Sequence, residues 1–209
     1  MKTRERIMEI ALQMFSERGY EAVSIRDICN EVGIRESTLY YHFKNKQDIL
    51  DSLIAKFEEY INGLLCHMEM NGKDETEGNN EGTQMMDTFM IDGYLFDPFC
   101  NSMLRLLMME QFHNEKIREL YERIMFTEPY EIQKKIFKQC VFNGMIPNDD
   151  AECIVQEYFS FTTMLTYKYL LNGELTQERK NAYSRAIHDF FEKAMLRWSN
   201  VLKNAKEPV

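Results

Sequence analysis

A short stretch of the chain concentrates hydroxyl, phenol, imidazole and cationic side chains of the kind that bind DNA. Between residues 24 and 46 they are Ser24, Arg26, Arg35, Ser37, Thr38, Tyr40, Tyr41, His42, Lys44 and Lys46. Hydroxyl and imidazole groups donate hydrogen bonds to phosphate oxygens, basic side chains bind phosphates, and a threonine methyl group contacts a thymine methyl group. The types and the clustering of these residues therefore favour binding to double-stranded DNA.

Apolar periodicity shows which elements must position these side chains. Four apolar residues fall at helical spacing on both sides of a glycine: Ile28, Val32, Leu39 and Phe43. The glycine, Gly33, suits the left-handed conformation that ends many helices. Ser24 is a favourable N-cap, with the charge of Asp27 in the first turn. We therefore predict two helices joined by a tight turn, with the hydroxyl and imidazole side chains on the outer face of the second.

The rest of the sequence also predicts helices. The chain has only 9 Gly and 4 Pro in 209 residues, which favours an all-α fold over a turn-rich β fold. A first helix is predicted to run to Arg18, and a fourth from about Lys46 to near Met70. Residues 71–83 lack apolar side chains and predict a flexible loop. We expect a DNA-binding domain at residues 1–47 and a helical domain at residues 48–209.

Over residues 4–50 the sequence resembles the TetR (tetracycline-repressor) family of transcription regulators. The resemblance rests on Gly19-Tyr20, on SIRDI at residues 24–28 and on TLYYHFKNK at residues 38–46. It implies an all-helical homodimer with an N-terminal three-helix helix-turn-helix domain and a C-terminal ligand-binding and dimerisation domain. Repression of a palindromic operator, relieved by a small-molecule effector, is the function that the resemblance implies.

The chain departs from the family pattern just before the predicted recognition helix. Arg35, Glu36 and Ser37 stand where members often have Ser, Lys and Gly. Arg35 is suited to a phosphate or a guanine, whereas Glu36 repels phosphate unless it points away or pairs with a basic neighbour. The operator sequence is therefore not transferable by analogy.

Charge is divided unevenly along the chain. The net charge is −9, yet residues 1–47 hold eight basic and seven acidic side chains, so the acidic surplus lies in the remainder. Such asymmetry is typical of a protein in which one part meets nucleic acid. The N-terminus has no secretory signal pattern, and no apolar run is long enough to span a membrane. We expect a cytoplasmic protein with no membrane partner.

Two late apolar stripes predict surfaces that meet a partner helix. They comprise Tyr158, Phe159 and Thr162 in one helix and Tyr183, Ile187, Phe190, Ala194 and Trp198 in the last. The stripes are wide for terminal helices, and two DNA-binding heads about 34–36 Å apart are needed to bind a palindrome. We expect a homodimer through these stripes. The alternative is that they face the core of their own chain.

Methionine and aromatic residues are frequent in the middle of the chain, where a ligand pocket is expected. The candidates are Met103, Leu107, Phe112, Tyr121, Met125, Phe161 and Met164. Flexible, polarisable methionines suit irregular apolar ligands, so the expected effector is small and apolar or amphipathic. The alternative for each of these residues is an ordinary place in the core.

Two other classes of function were weighed against a ligand-responsive regulator. An enzyme is disfavoured because the sequence shows no nucleophile elbow, glycine-rich phosphate loop or metal-ligand pair. We therefore expect no catalytic residue, no metal and no cofactor. A DNA-bound structural or partner-protein-responsive factor on the same fold stays open. An enclosed cavity in the C-terminal domain would favour the ligand sensor, and a solidly packed core the alternative.

Overall fold

Three helices form the N-terminal part of the chain: α1 (Thr3–Arg18), α2 (Ile25–Val32) and α3 (Glu36–His42). They are taken from a computed structural model that describes residues 2–71, 91–142 and 151–204. The Ser24 hydroxyl accepts the backbone N–H of Asp27 at 3.2 Å and so caps α2. Gly33 ends α2 with φ 77° and ψ 37°, the left-handed conformation that glycine adopts without strain. The predicted cap and turn are confirmed.

The apolar residues predicted to join α2 to α3 lie in the interior. Ile28 and Leu39 are fully buried, and Phe43 is 1% exposed. Fully burying a side chain of this size contributes about 1.5–3 kcal/mol. Burial of these three side chains therefore holds α3 against α2 and fixes which side of α3 remains exposed.

Further helical elements follow these three helices in the first part of the chain. α4 (Lys46–Asn71) begins at the predicted residue, and a π-helical turn (Ile91–Leu95) precedes α5 (Pro98–Glu110) and α6 (Glu115–Glu122). Pro98 occupies the first turn of α5, and the Asp97 carboxylate accepts the N–H of Cys100 at 2.8 Å. α1 packs against α2, α4 and α5. The position of α1 is therefore tied to α5 through packed side chains.

The later helices form a second group. A π-helical segment (Arg123–Thr127) leads into α7 (Glu128–Phe142), followed by α8 (Ala151–Leu165), a π-helical segment (Thr166–Leu171) and α9 (Gln177–Asn204). Pro129 lies in the first turn of α7, where proline is tolerated. The core of this group includes Phe137, Ile154, Tyr158 and Ala194.

The chain separates into two compact units. The first comprises Met1–Glu75 and Phe89–Tyr121, and the second comprises Thr76–Thr88 and Glu122–Val209. The predicted boundary after residue 47 falls inside the first unit, at the start of α4, and stays a prediction about function. Asn71 ends α4, and the rest of the loop predicted at residues 71–83 lies outside the described residues. Every regular element among the described residues is helical, which confirms the all-α fold.

Candidate nucleic-acid interface

The exposed side of α3 carries the aromatic residues predicted to contact DNA. Tyr41 is 85% exposed and Tyr40 is 52% exposed, whereas Leu39 between the helices is fully buried. Ser37 is also exposed and lies one helical turn before Tyr41. Large exposed aromatic groups on a helix of seven residues are costly in water unless a partner covers them. The structure therefore presents a short helix with the shape and chemistry of a recognition helix.

Two further residues of α3 are half-buried. Thr38 and His42 lie at the edges of the buried side, and the His42 ring meets the Tyr41 ring edge to face at 5.1 Å between centroids. This contact restricts the rotation of the Tyr41 side chain, because edge-to-face pairs have a preferred geometry. Tyr41 is thus partly held in place before any ligand binds.

The start of α2 supplies a second set of predicted DNA ligands. Ser24 and Arg26 are both exposed at this end of the helix. The Asp27 carboxylate accepts the Ser24 backbone N–H at 2.8 Å. The hydrogen bond from the Ser24 hydroxyl, and after it the one from the Ser24 backbone N–H, hold the pKa of Asp27 below its usual value. The cap keeps α2 intact beside the recognition helix and leaves the Arg26 side chain exposed to solvent.

Arg35 and Glu36 mark the point where the sequence departs from the family pattern. Both are exposed, and Arg35 occupies the N-cap of α3 without a side-chain hydrogen bond to the helix. Burial, and after it the negative charge of Glu36, raises the pKa of the Cys29 thiol.

The two lysines after α3 have different surroundings. Lys44 is exposed, and its backbone N–H donates to Asp48 Oδ2 at 2.8 Å. The Lys46 side chain is only 21% exposed. Its Nζ donates to the Tyr20 carbonyl oxygen at 2.9 Å and lies 4.1 Å from the centre of the Tyr20 ring. Lys46, predicted as a phosphate ligand, is therefore already bound to the loop between α1 and α2.

Tyr20 and Glu110 are parts of this site that were not predicted from the sequence. Tyr20 donates its N–H to Glu110 Oε1 at 2.9 Å and its hydroxyl to Gln47 Oε1 at 3.1 Å. Burial, followed by the charges of Glu21, Asp51 and Glu110, raises the pKa of Tyr20. Gly19-Tyr20 was recognised as part of the family resemblance, but nothing near it in the sequence indicates a partner ninety residues away.

The seven residues predicted to line a ligand pocket are divided between the units. Met103, Leu107 and Tyr121 are buried in the first unit, and Met125 is buried in the second. Phe112 is 82% exposed and Met164 is 51% exposed, so neither lies in the interior of its unit. The Phe161 ring stacks on Phe190 at 4.3 Å. Their role in a pocket stays a prediction, and Phe112, Phe161 and Met164 are better placed for contacts at a surface.

Most of the residues predicted for the dimer interface face the core of their own chain. Buried members are Tyr158, Thr162, Tyr183, Ile187 and Ala194, and half-buried members are Phe159 and Phe190. Trp198 belongs to α9, but its side chain lies outside the described part. A side chain already buried in its own subunit has no area left to bury against a second one. The burial therefore supports the alternative interpretation of these stripes as core, and a homodimer through them stays a prediction.

The described residues show no metal site. No group of three His, Cys, Asp or Glu side chains among them is arranged to hold a metal ion. Cys29, Cys100 and Cys140 are buried free thiols, whereas Cys153 is exposed. None of the helices in the described ranges combines the length and apolar character needed to cross a membrane.

The fold and the exposed α3 define a helix-turn-helix DNA-binding domain, and the comparisons with known proteins agree. Residues 7–53 match the family model for bacterial regulatory proteins of the tetR family. Residues 7–53 are therefore similar to the DNA-binding domain of tetR-family regulators, in agreement with the resemblance over residues 4–50.

Two curated relatives match less than a third of the chain. The repressor KstR2 of Mycobacterium tuberculosis is 38% identical over 58 residues, which are 28% of this chain and 29% of that protein. The negative transcriptional regulator IcaR of the Staphylococcus aureus biofilm operon icaADBC is 32% identical over 62 residues, which are 30% of this chain and 33% of that protein. The matched part thus spans a third or less of the length of these relatives.

Similarity of the whole fold extends further than similarity of sequence. A Saccharomonospora viridis protein solved in complex with choline superimposes with a TM-score of 0.63 at 22% identity, over 90% of this chain and 95% of that chain. At this identity the likeness concerns the fold alone. It confirms an N-terminal helix-turn-helix followed by further helices.

Proposed function

We propose that this protein is a repressor that binds a palindromic operator as a homodimer and is released by a small apolar or amphipathic effector. The observation that carries the proposal is the exposed face of α3, where Tyr41 is 85% exposed and Tyr40 is 52% exposed. The relatives KstR2 and IcaR are a repressor and a negative regulator, which supports repression as the output of this protein.

Contacts to DNA are assigned to residues around the helix-turn-helix. Ser37, Thr38, Tyr40, Tyr41 and His42 contact the major groove and its phosphates from α3. Ser24 and Arg26 contact phosphates from α2, and Arg35, Lys44 and Lys46 do so from the ends of α3 and α4. Hydroxyl, imidazole and cationic groups at these places have the donor chemistry that phosphates and base edges require.

The dimer is proposed to form through the half-exposed side of α8 and α9. Phe161 and Met164 on α8 and Ala186 and Phe190 on α9 are half-buried or exposed and lie at helical spacing along that side. The Phe161 and Phe190 rings stack at 4.3 Å, and Arg197 donates to Glu157 Oε1 at 2.8 Å between the same helices. A second copy of this surface would complete a four-helix interface with an apolar centre.

The effector is proposed to bind the first unit near Met103, Leu107 and Tyr121. All three are buried. Methionine adapts its shape to irregular ligands, which favours an apolar or amphipathic molecule. The complex of the Saccharomonospora viridis protein with choline supports the idea that this fold accommodates a small molecule.

The first test is selection of genomic fragments by the purified full-length chain. Each recovered fragment is titrated beside a version with the site shuffled, at one salt concentration, because phosphate contacts make every affinity depend on salt. A palindromic site bound at least about 1,000-fold more tightly than the shuffled one is expected. Equal binding of the two fragments would reject the proposed function and favour a structural or partner-responsive role.

A further inference from the structure

The peptide groups of Tyr20, in the loop between α1 and α2, are held from two sides. The N–H donates to Glu110 Oε1 at 2.9 Å, and the carbonyl oxygen accepts Lys46 Nζ at 2.9 Å. Glu110 is the last residue of α5 and Lys46 the first of α4. Through these two hydrogen bonds, Tyr20 connects the C-terminal end of α5 to the N-terminal end of α4.

Glu110 occupies a costly position for a carboxylate. It is 7% exposed, and it lies at the C-terminal end of α5, where the helix dipole disfavours a negative charge. Within the described ranges, no basic side chain forms an ion pair with it. A buried carboxylate is destabilising unless donors satisfy it, and an apolar side chain of similar size commonly costs less. The Tyr20 N–H satisfies one Glu110 oxygen, but stability alone does not account for a carboxylate here.

Lys46 is held in a fixed orientation by the same residue. Its Nζ lies 4.1 Å from the Tyr20 ring centre and 4.0 Å from Glu21 Oε2, and its side chain remains 21% exposed. An ammonium group has three N–H donors, of which the Tyr20 carbonyl uses one. The others are available to a DNA phosphate at the start of α4.

We propose that Glu110 is a positioning residue for DNA binding, which holds Lys46 in reach of a phosphate through the Tyr20 peptide. The position of α5 then sets the affinity for the operator. This inference rests on the proposed function and adds the residues by which α5 acts on the DNA-binding head. Met103 and Leu107 precede Glu110 on α5 by seven and three residues and share its side of the helix. A ligand that displaces this side of α5 also withdraws the carboxylate from Tyr20.

Withdrawal of Glu110 has a definite physical consequence. The Tyr20 N–H, which is part-buried, loses its acceptor. An unpaired buried donor is unfavourable, so the loop relaxes to hydrate it. The Tyr20 carbonyl moves with its own residue, and Lys46 loses the acceptor that orients its ammonium group.

The test compares operator binding by full-length wild type, Glu110→Asp, Lys46→Met and the double variant of these two over a range of salt concentrations. Glu110→Asp keeps the charge but shortens the side chain, so the Tyr20 N–H loses its acceptor. Glu110→Gln keeps an acceptor oxygen for that N–H and is the conservative variant, and thermal unfolding checks the fold of each variant. Glu119→Gln, an exposed acid on α6, is the matched control.

Glu110→Asp is expected to weaken operator binding about tenfold, whereas Glu110→Gln should bind as the wild type does. Glu110→Asp should also lower the slope of log affinity against log salt by about 0.9, the value for one lost phosphate contact, as Lys46→Met does. The double variant should lose no more than Lys46→Met alone, because both changes remove one contact. Unchanged affinity of Glu110→Asp, an equal loss in Glu110→Gln, or additive losses with an unchanged salt slope would overturn the inference. A wild-type protein that does not distinguish the operator from a shuffled site would instead refute the proposed function.

Discussion

The rings of Phe161 and Phe190 stack across α8 and α9 with centroids 4.3 Å apart and an interplanar angle of 16°. Both rings are half-buried, and Phe190 packs against the core cluster that includes Ile154 and Val155. The stack joins the two terminal helices at their surface and extends to Met164, one turn further along α8. An apolar strip of this kind is better explained by a second subunit than by solvent.

Met164→Glu is expected to separate the dimer. Met164 is 51% exposed in the single chain, so the change leaves the fold intact. In the dimer it would bury an unpaired carboxylate, which costs about 3 kcal/mol or more and raises the dissociation constant at least about 100-fold. Light scattering during size-exclusion chromatography over a range of concentrations measures this.

Phe112→Glu is the matched control for that experiment. Phe112 is also an exposed apolar residue, at 82%, but it belongs to the first unit. The control variant should remain dimeric at the concentrations at which Met164→Glu is monomeric. Dimers of equal stability from both variants would place the interface elsewhere.

Tyr41→Ala is expected to weaken operator binding about tenfold, because we propose that Tyr41 donates to DNA from the exposed face of α3. An 85% exposed side chain contributes little to the core, so the melting temperature should hardly change. Tyr41→Phe removes the hydroxyl and keeps the ring. If the hydroxyl donates to a phosphate, Tyr41→Phe should weaken operator binding nearly as much as Tyr41→Ala does. A mobility-shift titration at fixed salt measures both. Wild-type affinity in Tyr41→Ala would remove Tyr41 from the interface.

The local structure of the DNA-binding head was predictable because short-range signals determine it. The Ser24 cap, the left-handed Gly33 and the buried Leu39 each follow from residues within one or two helical turns. The engagement of Lys46 was not predictable. It depends on the Tyr20 loop, which in turn depends on Glu110, and the sequence carries no signal for a contact across ninety residues.

The terminal stripes show a second limit of sequence interpretation. Periodicity predicted that Tyr158 and Tyr183 lie on buried faces, and the structure buries both. Periodicity cannot distinguish burial by the same chain from burial by a partner, since both remove apolar area from water equally. The half-exposed residues beside the stripe, such as Phe161, are the better guide to an interface.

Gly33→Ala is expected to destabilise the protein through backbone strain alone. Gly33 has φ 77°, and no atom lies within 4 Å of the position that a Cβ would take. The left-handed conformation costs a residue with a Cβ about 1 kcal/mol, which lowers the melting temperature by about 3 °C.

Gly63→Ala is the matched control, and it is expected to stabilise the protein where Gly33→Ala destabilises it. Gly63 also has open space around the added Cβ, but it lies inside α4 without a positive φ. Alanine in a helix interior is more stable than glycine by about 0.5–1 kcal/mol. Calorimetry of both variants tests the pair, and equal shifts in one direction would contradict the role of the Gly33 conformation.

Glu36→Gln is expected to change which base the protein selects, not only how tightly it binds. Glu36 is exposed in the first turn of α3, where a carboxylate accepts the amino group of cytosine, whereas glutamine pairs with adenine. Selection from a randomised operator should therefore change one position in each half-site from cytosine to adenine. Glu31→Gln, the same charge change at an exposed residue of α2, should retain the wild-type site. If wild type and Glu36→Gln select the same bases, Glu36 contacts no base and only stabilises the first turn of α3.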